Sequence, residues 1–145
     1  MSETASIADI ENEIVEEFSF LDDWDDKYTY VIELGRKLEP FPEEHRKDEN
    51  IIKGCQSRVW LHSYTENGKV YFKADSDAMI VKGLVYLLVR TLSGHAPDEI
   101  IKTDLSFLDK IGMKQHLSPT RSNGLLAMVK QMKLHALAYK SKISE

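Results

Sequence analysis

The sequence has only one cysteine, Cys55, among its 145 residues. A single thiol cannot close a disulfide within the chain, and the usual zinc and iron-sulfur sites need several cysteines or a Cys/His set at short spacing. The five histidines are spread along the chain without such spacing. A disulfide scaffold, a structural zinc site and a resident cluster are therefore excluded, and we expect neither a metal site nor a cofactor.

Long apolar runs and targeting signals are also missing. The most apolar stretch, 79–92, contains Lys82 and Arg90 and is shorter than the about 20 residues that cross a bilayer as a helix. The N-terminus lacks the basic start and apolar run of a secretory signal and the arginines of a transit peptide. We expect a cytoplasmic protein without a membrane partner.

Positive charge is the minority: 19 Lys and Arg stand against 24 Asp and Glu, which gives a net charge of -5. Many of the acids fall between residues 11 and 26, where they would repel a phosphate backbone. Nucleic acid is therefore not an expected partner. The acidic run is typical of a solvated helix face, with a docking surface for a basic partner as the alternative.

Apolar residues are present in sufficient number for a core. They make up 42% of the chain, and 145 residues usually fold around one core rather than two. We predict a single domain over residues 1–145.

Helical periodicity marks both ends of the chain. Apolar residues from Ile7 to Leu21 and from Trp24 to Leu38 recur every three or four positions, with Ser6 and Asp22 or Asp23 as candidate caps. A third helix, 78–92, is apolar nearly all round and is preceded by the capping residues Asp75, Ser76 and Asp77. Short helical segments start at 97 and 107. Ser118-Pro119 opens a last, long helix with the stripe Leu125, Met128, Val129, Met132 and Leu137.

The middle of the chain is typical of a β-hairpin. Residues 57–65 and 69–75 are rich in β-branched and aromatic side chains, and Asn67-Gly68 between them suits a type I′ turn. This loop pairs Thr65 with Val70, Ser63 with Phe72 and Leu61 with Ala74. The short pair Ile51-Ile52 is a candidate third strand. The order of helices, a small antiparallel sheet of about three strands and further helices predicts an α+β fold.

Cys55 follows Gly54, whose backbone freedom favours a loop, and has Lys53 and Arg58 nearby to stabilise a thiolate. A lone cysteine is also a common inert core residue. The residues by themselves therefore leave a reactive loop thiol and a buried structural thiol both open.

Four segments resemble the SufE family of sulfur acceptors, which includes CsdE. The resemblance centres on Gly54-Cys55-Gln56-Ser57-Arg58-Val59-Trp60, the active-cysteine motif. It extends to Tyr30 through Leu38, to Asp75-Ser76-Asp77-Ala78 with Ile80 through Leu84, and to Gln115 through Leu125. In the family's order these segments span nearly the whole chain.

The resemblance implies a fold related to the IscU scaffold proteins and a function as a sulfur carrier. Cys55 would take persulfide sulfur from a SufS- or CsdA-type cysteine desulfurase, stimulate that enzyme, and pass the sulfur to a SufB-containing scaffold complex or another acceptor. The pyridoxal phosphate belongs to the desulfurase, so the chain itself is not expected to be an enzyme. One thiol can relay sulfur but cannot hold a cluster.

The resemblance also implies further site residues. Arg121 and His116 are candidates to flank the cysteine loop, and Gly54, Gln56, Ser57, Asp75 and Asp77 are candidates to order it. Ordinary roles compete with these: His116 as a packing residue, Arg121 as a first-turn side chain, and both aspartates as helix caps.

Two other functions remain as alternatives. A thiol hydrolase or transferase would use Cys55 with His116 or His62, and a structural adaptor would not need the thiol at all.

Overall fold

The structure, a computed structural model, describes residues 6–53 and 57–143. Two single turns of 3₁₀ helix, Glu43–His45 and Asp48–Asn50, lie between the second helix and the first strand. The α+β class is confirmed. The elements in chain order are α1 (Ile7–Ser19), α2 (Trp24–Gly35), β1 (Val59–Glu66), β2 (Lys69–Ser76), α3 (Met79–Leu92), α4 (Pro97–Lys102), α5 (Phe107–Lys110), α6 (Met113–His116) and α7 (Pro119–Ile143).

The first two helices begin where their caps predict. The Ser6 hydroxyl accepts a hydrogen bond from the Asp9 amide (3.1 Å), and the Asp23 carboxylate accepts one from the Asp26 amide (2.9 Å). Each bond satisfies an N–H group that has no partner within the helix. α2 ends at Gly35, three residues before the end of the predicted stripe.

The hairpin has the predicted register. Thr65 pairs with Val70, Ser63 with Phe72 and Leu61 with Ala74. Asn67 and Gly68 have φ angles of 53° and 77°, as a type I′ turn requires. One face of the hairpin, which contains Val59, Leu61, Val70, Phe72 and Ala74, is buried against the helices.

The expected third strand is wrong for the described residues, in which the sheet has two strands. Ile51 pairs with Trp60 as an isolated bridge, and the Ile52 amide donates to the Val59 carbonyl (2.9 Å). The 3₁₀ turn Asp48–Asn50 immediately precedes this pair. Only two residues are therefore extended beside β1 before residue 53.

α3, which the sequence shows to be apolar nearly all round, is the central helix: it lies against β2 on one side and α2 on the other. Gly35 and Gly83 allow the α2–α3 contact, because a Cβ at Gly83 would overlap the Val31 carbonyl oxygen and one at Gly35 would lie 2.9 Å from the Gly83 nitrogen. Side-chain capping of α3 is not observed, since its N-cap residue is Ala78.

The C-terminal half adds one unexpected element, the short helix α6, which begins after Gly112 in a left-handed conformation. α4 packs against α7. The buried face of α7 contains Leu125, Met128, Met132 and Ala136, whereas Leu137, predicted to belong to this stripe, is 51% exposed. The buried residues follow one another at steps of three or four positions, and the last of these steps leads to Ala136. The next residue, Leu137, is therefore rotated about the helix axis toward solvent.

Most of the buried apolar side chains of the described residues form one cluster to which helices and hairpin both contribute. Among these residues no helix has the length and apolar character needed to span a membrane.

Candidate functional site

Gly54, Cys55 and Gln56 lie outside the described residues, so the site is defined by the chain on either side of them. Before the gap, the Ile52 amide bonds to the Val59 carbonyl, and Ile51 pairs with Trp60. The segment that enters the cysteine loop and the strand that leaves it are therefore neighbours. We call residues 53–58, which the sequence predicts to include a loop, the cysteine loop.

The last residue of the cysteine loop, Arg58, is fixed by the turn that leads into α3. Its amide donates to Asp77 Oδ1 (3.1 Å). Its carbonyl accepts from Ser76 Oγ (2.9 Å) and from the Asp77 amide (3.2 Å). Both backbone groups of Arg58 are thus bonded to two consecutive residues, and Asp77 uses its carboxylate to hold the loop rather than to cap the helix.

Asp75 lies at the centre of a charged cluster beside this turn. Its carboxylate bonds to Arg46 Nη2 (2.9 Å) and the Ser76 amide (2.8 Å), and it lies 3.4 Å from Lys82 Nζ. Burial alone would raise the pKa of Asp75, but the hydrogen bonds and the two cations outweigh it and hold the pKa below its ordinary value. Asp75 is therefore ionised at neutral pH. We call Arg46, Asp75 and Lys82 the polar clamp.

Arg46 also contacts aromatic rings. The centre of its guanidinium lies 4.7 Å from the ring of Trp60 and 5.3 Å from that of Phe41, and Nε is 3.1 Å from Glu43 Oε1. The hydrogen bond to Asp75 is the main reason why the pKa of Arg46 is raised. The sequence analysis missed this residue, because an arginine in an irregular loop produces no periodic signal.

A cavity of about 80 Å³ lies next to the end of the cysteine loop, between β1, α3 and the start of α7. Ser57, Thr120 and Arg121 supply its polar lining. Its apolar lining comes from Val59, Val81, Leu84, Leu125 and Met128.

Arg121 reaches this cavity because α7 begins where the sequence predicts. The Ser118 hydroxyl accepts from the Arg121 amide (3.3 Å), which places Arg121 in the first turn of the helix. The structure thus brings Arg121 and Ser57 to one cavity, with Arg121 exposed. Thr120, which the sequence analysis did not single out, lines the same cavity.

The two histidines considered as catalytic partners lie elsewhere. His116 is exposed and stacks on Trp24, with ring centroids 4.5 Å apart and planes 14° from parallel. His62 stacks on His45 at 3.6 Å. Burial, followed by the neighbouring His45, lowers the pKa of His62 and favours its neutral form. Neither imidazole lines the cavity beside Ser57.

Metal ligands do not converge in the part of the chain that the structure describes: no three His, Cys, Asp or Glu side chains there form a group able to bind a metal ion.

Comparison with known proteins gives a consistent match. The family model SufE, described as an Fe-S metabolism associated domain, matches residues 12–136. An uncharacterized SufE-like protein of Rhizobium etli is 46% identical over 130 residues, which cover 86% of this chain and 88% of that protein. A second uncharacterized SufE-like protein, from Rhizobium meliloti, is 42% identical over 130 residues, with 86% and 93% coverage.

Among solved structures, the solution structure of a hypothetical protein from Thermus thermophilus is similar, with a TM-score of 0.76. The match covers 91% of this chain and 96% of that one at 22% sequence identity. This likeness concerns the fold.

Proposed function

Because this chain belongs to the SufE family, which is associated with Fe-S metabolism, we propose that it is a sulfur carrier that uses Cys55. It accepts persulfide sulfur from a SufS- or CsdA-type cysteine desulfurase, stimulates that enzyme by removing its sulfur, and passes the sulfur to a SufB-containing scaffold complex or another acceptor. A cytoplasmic location is part of the proposal and rests on the sequence. The observation that carries it is the family match across residues 12–136, which spans the only cysteine.

The transfer is a thiol exchange that needs no external oxidant. The Cys55 thiolate attacks the terminal sulfur of the desulfurase persulfide, a new sulfur–sulfur bond forms on Cys55, and the bond to the enzyme's cysteine breaks. The electron pair of the broken bond leaves with that cysteine as a thiolate. The pyridoxal phosphate that releases sulfur from free cysteine belongs to the desulfurase.

The surroundings of the cysteine loop support this chemistry. Ser57 lines the cavity of about 80 Å³ and follows Cys55 by two residues in the sequence. Arg121 lines the same cavity, and a cation near a thiol favours the thiolate. We propose Arg121 as the thiolate partner and Ser57, Asp75 and Asp77 as residues that order the loop.

The single thiol limits the proposal. One cysteine can carry one sulfur atom at a time and cannot supply the several thiolates that hold an iron-sulfur cluster. The chain is therefore proposed as a relay without turnover of its own. A thiol hydrolase gains no support from the described contacts of His116 and His62, which lie with Trp24 and His45.

The proposal is tested by mixing the protein with its cognate desulfurase and cysteine and measuring intact mass without reductant. We expect one added sulfur atom, removed by reductant and absent from Cys55→Ser. Since Cys55 is the only cysteine, the adduct needs no peptide mapping. The desulfurase alone, with its turnover of cysteine measured, is the control for an active partner.

The result that would overturn the proposal is an active cognate desulfurase that turns over cysteine but leaves the mass of this protein unchanged. Ester or thioester turnover that requires Cys55 and needs no desulfurase would favour the hydrolase instead. Arg121→Met should slow sulfur uptake about tenfold, whereas Lys130→Met, a change at another exposed cation of α7, should not.

A further inference from the structure

Arg46 belongs to one segment of the chain and contacts two others, and the three meet at the two ends of the cysteine loop. Its own segment leads into Ile51 and Ile52, which pair with β1. Its guanidinium lies 4.7 Å from the ring of Trp60, which follows the loop by two residues. Its Nη2 bonds to Asp75 at 2.9 Å, in the turn that leads into α3.

Hydrogen bonds connect Asp75 to Arg58, the last residue of the cysteine loop, through Ser76. Asp75 Oδ1 accepts from the Ser76 amide (2.8 Å), and Ser76 Oγ donates to the Arg58 carbonyl (2.9 Å). Asp77 adds a further bond to the same residue, since its Oδ1 accepts from the Arg58 amide. One guanidinium thus contacts both Trp60, which pairs with Ile51 before the loop, and Asp75, which belongs to the turn that holds Arg58 after it.

Arginine suits this position in a way that lysine does not. A planar guanidinium can bond to a carboxylate with its edge while its face lies on an aromatic ring, whereas an ammonium is a point charge. The Arg46 side chain is 26% exposed and that of Asp75 is 17% exposed, so their interaction is partly shielded from water.

We propose that Arg46 is a positioning residue for sulfur transfer: it holds the two ends of the cysteine loop in register so that Cys55 is presented correctly to its partner. The inference rests on the proposed sulfur-carrier function. It assigns to Arg46 a role through Asp75, Trp60 and Arg58, without contact to the transferred sulfur.

The test uses the full chain and a thiol reagent, iodoacetamide, which reports on Cys55 alone because there is no other cysteine. Alkylation rate is measured against pH for the wild type, Arg46→Met and Arg46→Lys. Lys47→Met, at an exposed cation next to Arg46, is the matched control. Unfolding in urea is measured in parallel, so that rates refer to folded protein.

We expect Arg46→Met to change the alkaline plateau of the alkylation rate severalfold, because both ends of the cysteine loop lose a contact that fixes them. The pH midpoint of the profile should not move. Arg46→Lys, which keeps a bond to Asp75 but not the ring contact, should give an intermediate rate, and Lys47→Met should match the wild type.

Two outcomes would overturn the inference. An unchanged plateau and midpoint, with lower stability, would make Arg46 a structural residue only. A shifted midpoint with an unchanged plateau would mean that Arg46 acts by its charge on the thiolate. Neither outcome requires a desulfurase, so failure here is distinct from failure of the sulfur-carrier proposal, which the persulfide adduct decides.

Discussion

Two neighbouring residues of α3 make contacts of opposite kinds. Gly83 faces α2, where the helix backbones touch and a single methyl group would overlap the Val31 carbonyl oxygen. Lys82 belongs to the polar clamp and lies 3.4 Å from Asp75. The first contact is steric and does not depend on pH, whereas the second depends on ionised groups and can weaken by degrees. A region that can loosen without unfolding suits the chain next to the loop that is proposed to carry sulfur.

The comparison predicts that the steric contact is the more costly to disturb. Gly83→Ala should lower the free energy of unfolding by about 3 kcal/mol, because α2 and α3 must separate to admit the new methyl group. Urea unfolding measures this.

Gly68→Ala is the matched control for that change. Gly68 has a φ of +77° but no atom within 4 Å of an added Cβ, so only backbone strain is introduced, at a cost of about 1 kcal/mol. Equal losses for the two variants would mean that the α2–α3 contact relaxes readily, and the contrast between the two regions would fail.

The polar clamp should show the next largest effect and a clear pH dependence. Asp75→Asn leaves Arg46 without its carboxylate and should cost about 2 kcal/mol at neutral pH. Because the folded-state pKa of Asp75 is lowered, its stabilisation is present above the unfolded pKa near 4 and is lost as the pH falls through the folded pKa.

Equilibrium unfolding at a series of pH values measures both the loss of stability at neutral pH and its dependence on pH. The difference between wild type and Asp75→Asn should shrink as the medium becomes acidic. Asp98→Asn is the control, since Asp98 pairs with Lys140 at 2.8 Å but at an exposed position, and its loss should not change stability measurably. A difference that stays constant down to acidic pH would contradict the ionic account of the clamp.

A smaller effect is expected where the clamp meets the cysteine loop. Asp77→Ala removes the acceptor of the Arg58 amide and should cost about 1 kcal/mol. Hydrogen exchange should increase at that amide while the amides of α3 remain protected.

Asp104→Ala is matched to this change, because Asp104 Oδ1 accepts the Ser106 amide (3.0 Å) at an exposed turn away from the loop. It should cost no more than Asp77→Ala and leave exchange at Arg58 unchanged. Equal exchange at Arg58 in both variants would show that Asp77 does not hold the loop.

Local patterns allowed the sequence to predict most elements. Asn67-Gly68 determined the hairpin register, and the caps Ser6 and Asp23 located two helix starts, because these signals act over a few residues. The prediction of a third strand at Ile51-Ile52 was wrong, because whether two residues extend into a strand depends on the chain around them. Leu137 was wrongly assigned to the buried stripe of α7, because apolar character alone does not specify which face of a helix is buried.

The site could be predicted only in part, for a similar reason. Ser57 and Arg121 are 64 positions apart, and only the resemblance to a family linked them before the structure placed both at one cavity. Arg46 and Asp75 are 29 positions apart, and no sequence pattern predicts that they form a hydrogen bond. Gly83 likewise gives no sign that its partner is the carbonyl of Val31.

The smallest predicted effect concerns the region around α2, and it tests whether the stability of that region depends on pH. Tyr30 of α2 donates its hydroxyl to Glu17 Oε1 (2.7 Å), and Glu17 also binds Arg90 of α3. Burial, and then the hydrogen bond to Glu17, raises the pKa of Tyr30 to about 12. With a folded pKa above the unfolded value near 10, its stabilisation is present below pH 10 and is lost as the pH rises toward 12.

Tyr30→Phe should therefore remove a shallow loss of stability between pH 10 and 12, measured by urea unfolding of both proteins across that range. Tyr64→Phe is the control at a tyrosine that is 38% exposed and should keep the wild-type slope. If Tyr30→Phe keeps the same slope, the hydroxyl is not coupled to folding. Tyr30 would then add no pH-dependent contact to the steric contact between α2 and α3, and the contrast with the polar clamp would become sharper.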